Sequence, residues 1–292
     1  MRFGYACLNV TLGVKMRTCR LQTMRNEGMT KIKELTLHNL HLVRDMVEWN
    51  RANQILFFRL SSEIIPFATH PEMEWDWQND EDVLPLFTDI KRIGREANMR
   101  FSMHPAQFTV LNSPRKQVVE NAIKDLEYHY AFLSMVGGTD IIIHTGGAYG
   151  DKEKAKASFV KTFQTLSPEL QSTIRLENDD KTFRTKDVLD IHDQCGVTVC
   201  FDIHHERCFY TEENELKSLF HAVHATWTDK PKVHISSGRD HAADPRHTDY
   251  LRKEDVDLLL RVLDGVDVDV MIEAKAKEKA LLALKDEREG EL

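Results

Sequence analysis

Imidazoles and carboxylates recur in this sequence at one kind of place, the point where a short apolar stretch stops. FSMH closes on His104, IIIH on His144, RLE on Glu177, VCFD on Asp202 with His204 and His205 following, and MIE on Glu273. KVH carries Lys232 and His234, and His70 follows ILFFRLS after a short connection. Any one such residue is ordinarily a satisfied polar group or a helix cap. Gathered at one mouth, the carboxylates would repel one another or take up protons, and divalent cations remove that conflict. Imidazole and carboxylate without thiolate suit manganese or zinc, and magnesium where oxygen dominates. The candidate ligands exceed the need of one ion, so about two or three ions are expected, the arrangement that hydrolyses phosphate esters by holding both attacking and leaving oxygens. Lys232 lies two residues from His234 and should point the same way. An ammonium beside cations is repelled. A depressed pKa, a bound substrate phosphate or a carboxylated amine would each resolve the conflict, as would a lysine at the rim that reaches solvent.

These residues work together only if the chain brings the strand ends to one rim. The β-rich runs cover 2–9, 55–61, 99–105, 140–146, 173–179, 197–205, 232–237 and 269–275, and they alternate with helical patterns. One such pattern places Ile32, Leu35, Leu37, Leu40, Leu42, Val43, Met46 and Val47 at helical spacing. Helix starts are expected near Thr30, Asp80, Ser113, Thr185 and Glu254. Eight strand and helix units in 292 residues predict an α/β fold, a single (β/α)8 TIM barrel spanning residues 1–292 as one domain, with the working face at the carboxyl ends of the strands. The final EKALLALKDEREGEL reads as a last helix fraying into a charged, solvated end.

Composition narrows the function classes. With 41% hydrophobic and 29% charged residues, no apolar run of membrane length and no secretory signal pattern, a soluble cytoplasmic protein is expected. Five cysteines without a CxxC pair argue against both a disulfide framework and a thiolate zinc site. The net charge of −8 gives no bulk attraction for a polyanion, so any nucleic-acid contact must be local. One local source is the segment 13–31, expected to be a long loop, with Lys15, Arg17, Arg20, Arg25 and Lys31 against Glu27. Another is Arg239, His241, Arg246 and His247 after the seventh strand.

Together, GYACLN, RLSSEIIPFATH, FSMHPAQFTVLN, IIIHTGG, RLENDD, FDIHHE, KVHISSGRDHAADPRH and IEAKAKEKA resemble the UV-damage endonucleases, relatives of the endonuclease IV type of nuclease and of the xylose-isomerase-like barrels. The resemblance spans nearly the whole chain. It implies a manganese-dependent endonuclease that nicks double-stranded DNA immediately 5′ of a UV photoproduct, leaving a 3′ hydroxyl and a 5′ phosphate. On matching positions it implies metal ligands at His70, His104, His144, Glu177, Asp202, His205, His234 and Glu273, with a carboxylated Lys232. The DxxH spacing of the family selects His205 over His204, and His247 matches a position near the scissile phosphate. Gln107 and Phe108 would wedge into the duplex, and Tyr5, expected to point inward from the first strand, would with Asn9 line the pocket for the flipped lesion. Arg17, Arg20, Arg239 and Arg246 would meet phosphates. A monomer without a protein partner is expected. The alternatives are a sugar isomerase or epimerase, an apurinic-site nuclease, and a DNA-damage sensor whose metals are structural.

Overall fold

The computed structural model describes residues 1–13 and 15–289; Val14 of the basic segment and residues 290–292 of the expected charged end lie outside the described residues. In chain order the elements are β1 (Arg2–Ala6), α1 (Leu21–Ala52), β2 (Phe57–Leu60), α2 (Leu84–Glu96), β3 (Arg100–Met103), α3 (Lys116–Val136), β4 (Asp140–His144) and α4 (Lys152–Phe163). They continue with α5 (Pro168–Thr173), β5 (Ile174–Glu177), α6 (Thr185–Cys195), β6 (Thr198–Asp202), α7 (Ile203–Arg207), α8 (Glu213–His224), β7 (Lys232–Ile235), α9 (Lys253–Leu263), β8 (Asp269–Ile272) and α10 (Glu278–Glu289). The strands form a closed parallel barrel in sequence order, β8 pairing back onto β1. This is the expected (β/α)8 barrel. Each strand ends one to three residues before the expected limit, because the residues beyond turn into the connections.

Strand alternation gives the barrel two unlike faces. The outward residues, among them Phe58, Phe101, Ile143, Leu176 and Val233, join one apolar cluster with the helices. Of the apolar set of α1, Leu40, Val43, Met46 and Val47 join this cluster and half-buried Leu37 packs against it, while Ile32, Leu35 and Leu42 are also buried. Tyr5 also belongs to this outer layer, which corrects its expected inward direction: Gly4 and Ala6 take the inner parity, and the Tyr5 hydroxyl donates to Asn50 Oδ1 of α1 at 2.8 Å.

The inner face is polar at both ends. At the amino-terminal end, Arg100 bonds Asp140 at 2.8 Å and Asp269 at 3.0 Å across the barrel, and Arg175 meets Asp140 at 3.0 Å. Both guanidiniums also lie over the Trp227 ring. A small cluster of Ala6, Phe57 and Met271 forms the middle. Burial disfavours the charge on Asp140, but Arg100, Lys232 and Arg175 together hold its pKa below the usual carboxylate value. Replacing Asp140 with alanine would strand buried cations, and a loss of about 3–5 kcal/mol in urea-measured stability is expected.

Two further expectations are corrected. Residues 21–31 are not loop, because α1 begins at Leu21. Its first stretch runs to Gly28, whose φ of 71° resets the chain direction at low steric cost. That stretch buries only Met24, so it shows no apolar stripe in the sequence. Two helix starts are displaced, with Val83 and Arg115 preceding α2 and α3; α6 does start at Thr185, but Arg184 is its cap and Thr185 gives its amide and hydroxyl to Glu206 Oε2. Among the described residues no helix is long and apolar enough to cross a membrane.

Candidate metal centre

Parallel register brings the strand ends level: His144 lies beside Glu177, and Asp202 beside His234. At the carboxyl-terminal end of the inner face, Glu177 is the common member of three groups of ligand-type atoms, each within 4.8 Å. The groups are His104 with His144, His234 with Glu273, and Asp202 with His205. Glu177 Oε2 meets His104 Nε2 at 2.9 Å and His144 Nε2 at 3.4 Å, whereas Oε1 faces His234 Nδ1 at 2.5 Å. One carboxylate thus presents a separate oxygen to opposite sides of the mouth.

The donor set fits divalent cations. His144 Nδ1, His234 Nε2 and Asp202 Oδ2 are buried and have no hydrogen-bond partner, a costly condition for polar atoms. Burial opposes charge on Glu177, yet His234, His144 and His104 hold its pKa well below the usual carboxylate value. Glu273 is likewise held low against burial, chiefly by Arg59, whose Nη1 lies 2.6 Å from its Oε1. Burial lowers the pKa of His144. Partial burial opposes charge on His205 too, but Asp202, Glu177 and Glu273 push its pKa up to about 9.

His70 is not part of these groups. It packs edge-on against Phe67 at 5.8 Å, accepts the Glu72 amide on Nδ1, and lines a neighbouring groove of about 500 Å³ with Phe108 and Asp125. Nor is His204, although it is fully buried; its ring lies 5.5 Å from that of His247. His247 is held at the rim by a bridge to Gly238. Lys232 shares the inner parity of His234 but sits one level deeper, fully buried, 5.3 Å above the Phe57 ring and with no partner on Nζ. This overturns the rim lysine that reaches solvent. Burial pushes its pKa down to about 8 despite the opposing pull of Asp140.

The residues expected to touch DNA divide sharply. Gln107 and Phe108 form an exposed turn, and the Phe108 ring is 75% exposed. Arg17, Arg20 and Arg239 are exposed. Arg246 is exposed but clamped by Asp240 at 2.5 Å and Asp244 at 2.8 Å, and Arg25 is paired with Glu72. Tyr5 and Asn9 are both buried: Asn9 Nδ2 donates to the Tyr5 hydroxyl at 3.0 Å, and Asn9 Oδ1 accepts the Leu12 amide. Their hydrogen bonds tie the first connection to the fold.

Sequence reasoning passed over Arg59 and Asn178. Arg59 had a signal, a lone cation at inner parity inside an apolar strand. Asn178 follows Glu177 and braces the sixth strand, donating to the Asp202 carbonyl at 2.9 Å and accepting its amide at 2.8 Å. Its own carbonyl lies 2.9 Å from His205 Nδ1. Substituting Asn178 with alanine is expected to weaken metal binding by about 10- to 100-fold, the range for partners that orient ligands, as read by metal titration.

With this geometry in place, similarity to known proteins is informative. Residues 1–291 match the family described as UV-endonuclease UvdE. A UV DNA damage endonuclease of Bacillus cereus (strain G9842) is 36% identical over 301 aligned positions, covering 98% of this chain and 94% of the relative. The crystal structure of SacUVDE superposes with a TM-score of 0.86 at 33% identity, covering 99% of both chains. Endonuclease IV from Thermus thermophilus shares the fold, with a TM-score of 0.61 at 15% identity over 99% of this chain and 98% of that one.

Proposed function

The chain belongs to the UV-endonuclease UvdE family, and from that premise we propose that it is a metal-dependent DNA repair enzyme that recognises UV photoproducts in duplex DNA and hydrolyses the phosphodiester bond immediately 5′ of the lesion, leaving a 3′ hydroxyl and a 5′ phosphate. The observation that carries the reading is the convergence of three ligand groups on Glu177 at a rim whose neighbouring turn exposes Phe108. The ions in this reading are manganese, about two or three of them, with zinc or magnesium compatible. Bound there, they would neutralise the crowded carboxylates and supply Lewis acidity to the phosphodiester.

The roles of the residues follow from their placement. His104, His144, Glu177, Asp202, His205, His234 and Glu273 hold the ions. His70 remains a family-implied ligand that would have to move from its groove. Glu177 fixes both sides of the mouth, and Arg59 keeps Glu273 ionised and aimed. His247, on the rim, is placed to donate to a substrate phosphate. Arg17, Arg20 and Arg239 meet the DNA backbone, while Arg246 must first leave its aspartates. The buried, unpartnered Lys232 amine suits attack on carbon dioxide, forming an N–C bond and releasing a proton. The resulting carbamate would add an anion beneath His234, and isotopically labelled bicarbonate would reveal it by NMR. Tyr5 and Asn9 reach a lesion only if their mutual hydrogen bonds open. The protein acts in this reading as a cytoplasmic monomer.

The deciding experiment incubates purified protein with UV-irradiated supercoiled plasmid and manganese. Nicked circles that depend on irradiation and vanish with a chelator are expected. Binding without relaxation of the supercoils would sink catalysis, and cleavage of an abasic-site duplex in preference to a photoproduct duplex would favour an apurinic-site nuclease.

A further inference from the structure

The turn that exposes Gln107 and Phe108 is held at both of its feet. Ala106, Gln107 and Phe108 are exposed, whereas Pro105 before them and Thr109 after them are buried. The Thr109 amide closes the turn on the Ala106 carbonyl at 2.9 Å. At the far foot, the Thr109 hydroxyl donates to Asp125 Oδ2 of α3 at 2.6 Å. At the near foot, the Ser62 hydroxyl, from the β2–α2 connection, donates to the His104 carbonyl at 3.1 Å.

Both feet lead to one turn of α3. Ser62 Oγ also lies 2.9 Å from His129 Nε2, and His129 follows Asp125 by four residues, on the same helix face. His129 Nδ1 donates to the Asp125 carbonyl at 2.6 Å, and burial disfavours a second proton on the ring. Nε2 therefore accepts, and the single Ser62 hydrogen is shared between that nitrogen and the His104 carbonyl. Tyr128, beside His129, adds a bond from its hydroxyl to the Ser62 carbonyl at 3.2 Å. A buried histidine with both nitrogens satisfied is ordinarily structural and no more. Here the bonds end on the two sides of the exposed turn, and on one side they end at His104, a candidate metal ligand.

We propose that Thr109 and Ser62 are positioning residues: anchored on Asp125 and His129 of one α3 turn, they fix the span between Phe108 and His104, and with it which phosphodiester bond is cut relative to the lesion. This deepens the endonuclease reading and rests on it. Phe108 meets the damage, His104 holds an ion, and the distance between them sets the offset. Successive phosphates of one strand are about 3.4 Å apart along the duplex axis, and a misplacement of about 1 Å can cost roughly 100-fold in rate. A loosened foot therefore brings a neighbouring bond into competition.

The test maps cuts at single-nucleotide resolution on an end-labelled duplex bearing one photoproduct, with manganese-loaded wild type, Thr109→Val, Thr109→Ser and Ser62→Ala. The ratio of cuts at the principal bond to cuts at its neighbours should fall on the order of tenfold for Thr109→Val and for Ser62→Ala. Thr109→Ser keeps the hydroxyl and should keep the ratio. A second readout needs neither metal nor DNA: in the metal-free protein the amide at position 109 should lose hydrogen-exchange protection in Thr109→Val and regain it in Thr109→Ser. Global destabilisation would slow cutting without shifting its position. A wild-type ratio in either Thr109→Val or Ser62→Ala overturns this inference alone. Should neither variant cut, exchange decides, and unchanged protection in Thr109→Val overturns the inference. A wild type inert on irradiated DNA overturns the endonuclease reading and this inference with it.

Discussion

Glu177→Ala should abolish nicking of irradiated plasmid and lower the bound metal by more than one ion per chain. The expectation follows from the two-sided use of its carboxylate: Oε2 faces His104 and His144, and Oε1 faces His234. A residue that only orients a ligand costs about 10- to 100-fold when removed; a ligand common to three groups should cost more than about 100-fold. His234→Ala should also eliminate nicking but spare the group of His104 and His144. Elemental analysis of both variants separates these outcomes. Glu177→Gln keeps the volume and removes the charge, so it guards against collapse as the cause. If Glu177→Gln retained its metal and its activity, Glu177 could not be the shared ligand, and the reading of the centre would fail.

The fold was legible because its signal is periodic and repeated. Each of the eight strands carries one parity of apolar residues for the helix layer, and that parity is what marks FFRL or DIIIH as a strand. The same periodicity left the depth of an inner residue open. Lys232 and His234 share a parity, and only barrel register shows that one is sealed beneath the other. Tyr5 departs from expectation for a related reason: direction depends on which neighbour fills the interior, and Gly4 with Ala6 do so. The candidate metal centre was legible as residue types at strand ends, since a buried carboxylate among imidazoles requires a partner. Its bracing was not. Asn178 matters through two backbone bonds to a strand 24 positions away, which no local pattern records. Gly28 falls in a segment expected to be loop because a short helix that buries only Met24 has no stripe to recognise.

Removing both Gln107 and Phe108 side chains should weaken lesion selectivity while leaving the metal centre intact. The turn that carries them is exposed, and Phe108 stands between the cavity that reaches His144 and the groove that holds His70. A phenyl ring held 75% in water gives up burial for no gain within the fold. Inserted into a duplex, it regains that burial and fills the gap left by an unstacked base. Flipping costs a few kcal/mol, less where damage has already weakened stacking. Aromatic stacking of about 1–3 kcal/mol per base is enough to offset much of the cost at a lesion and too little to do so in sound DNA. The double alanine variant should therefore lose roughly 10- to 100-fold in its preference for a photoproduct duplex. Its residual cutting should become nearly indifferent to irradiation, and bound metal should match wild type. Unchanged selectivity would mean that damage is sensed elsewhere, and the exposed phenyl ring would then need another partner.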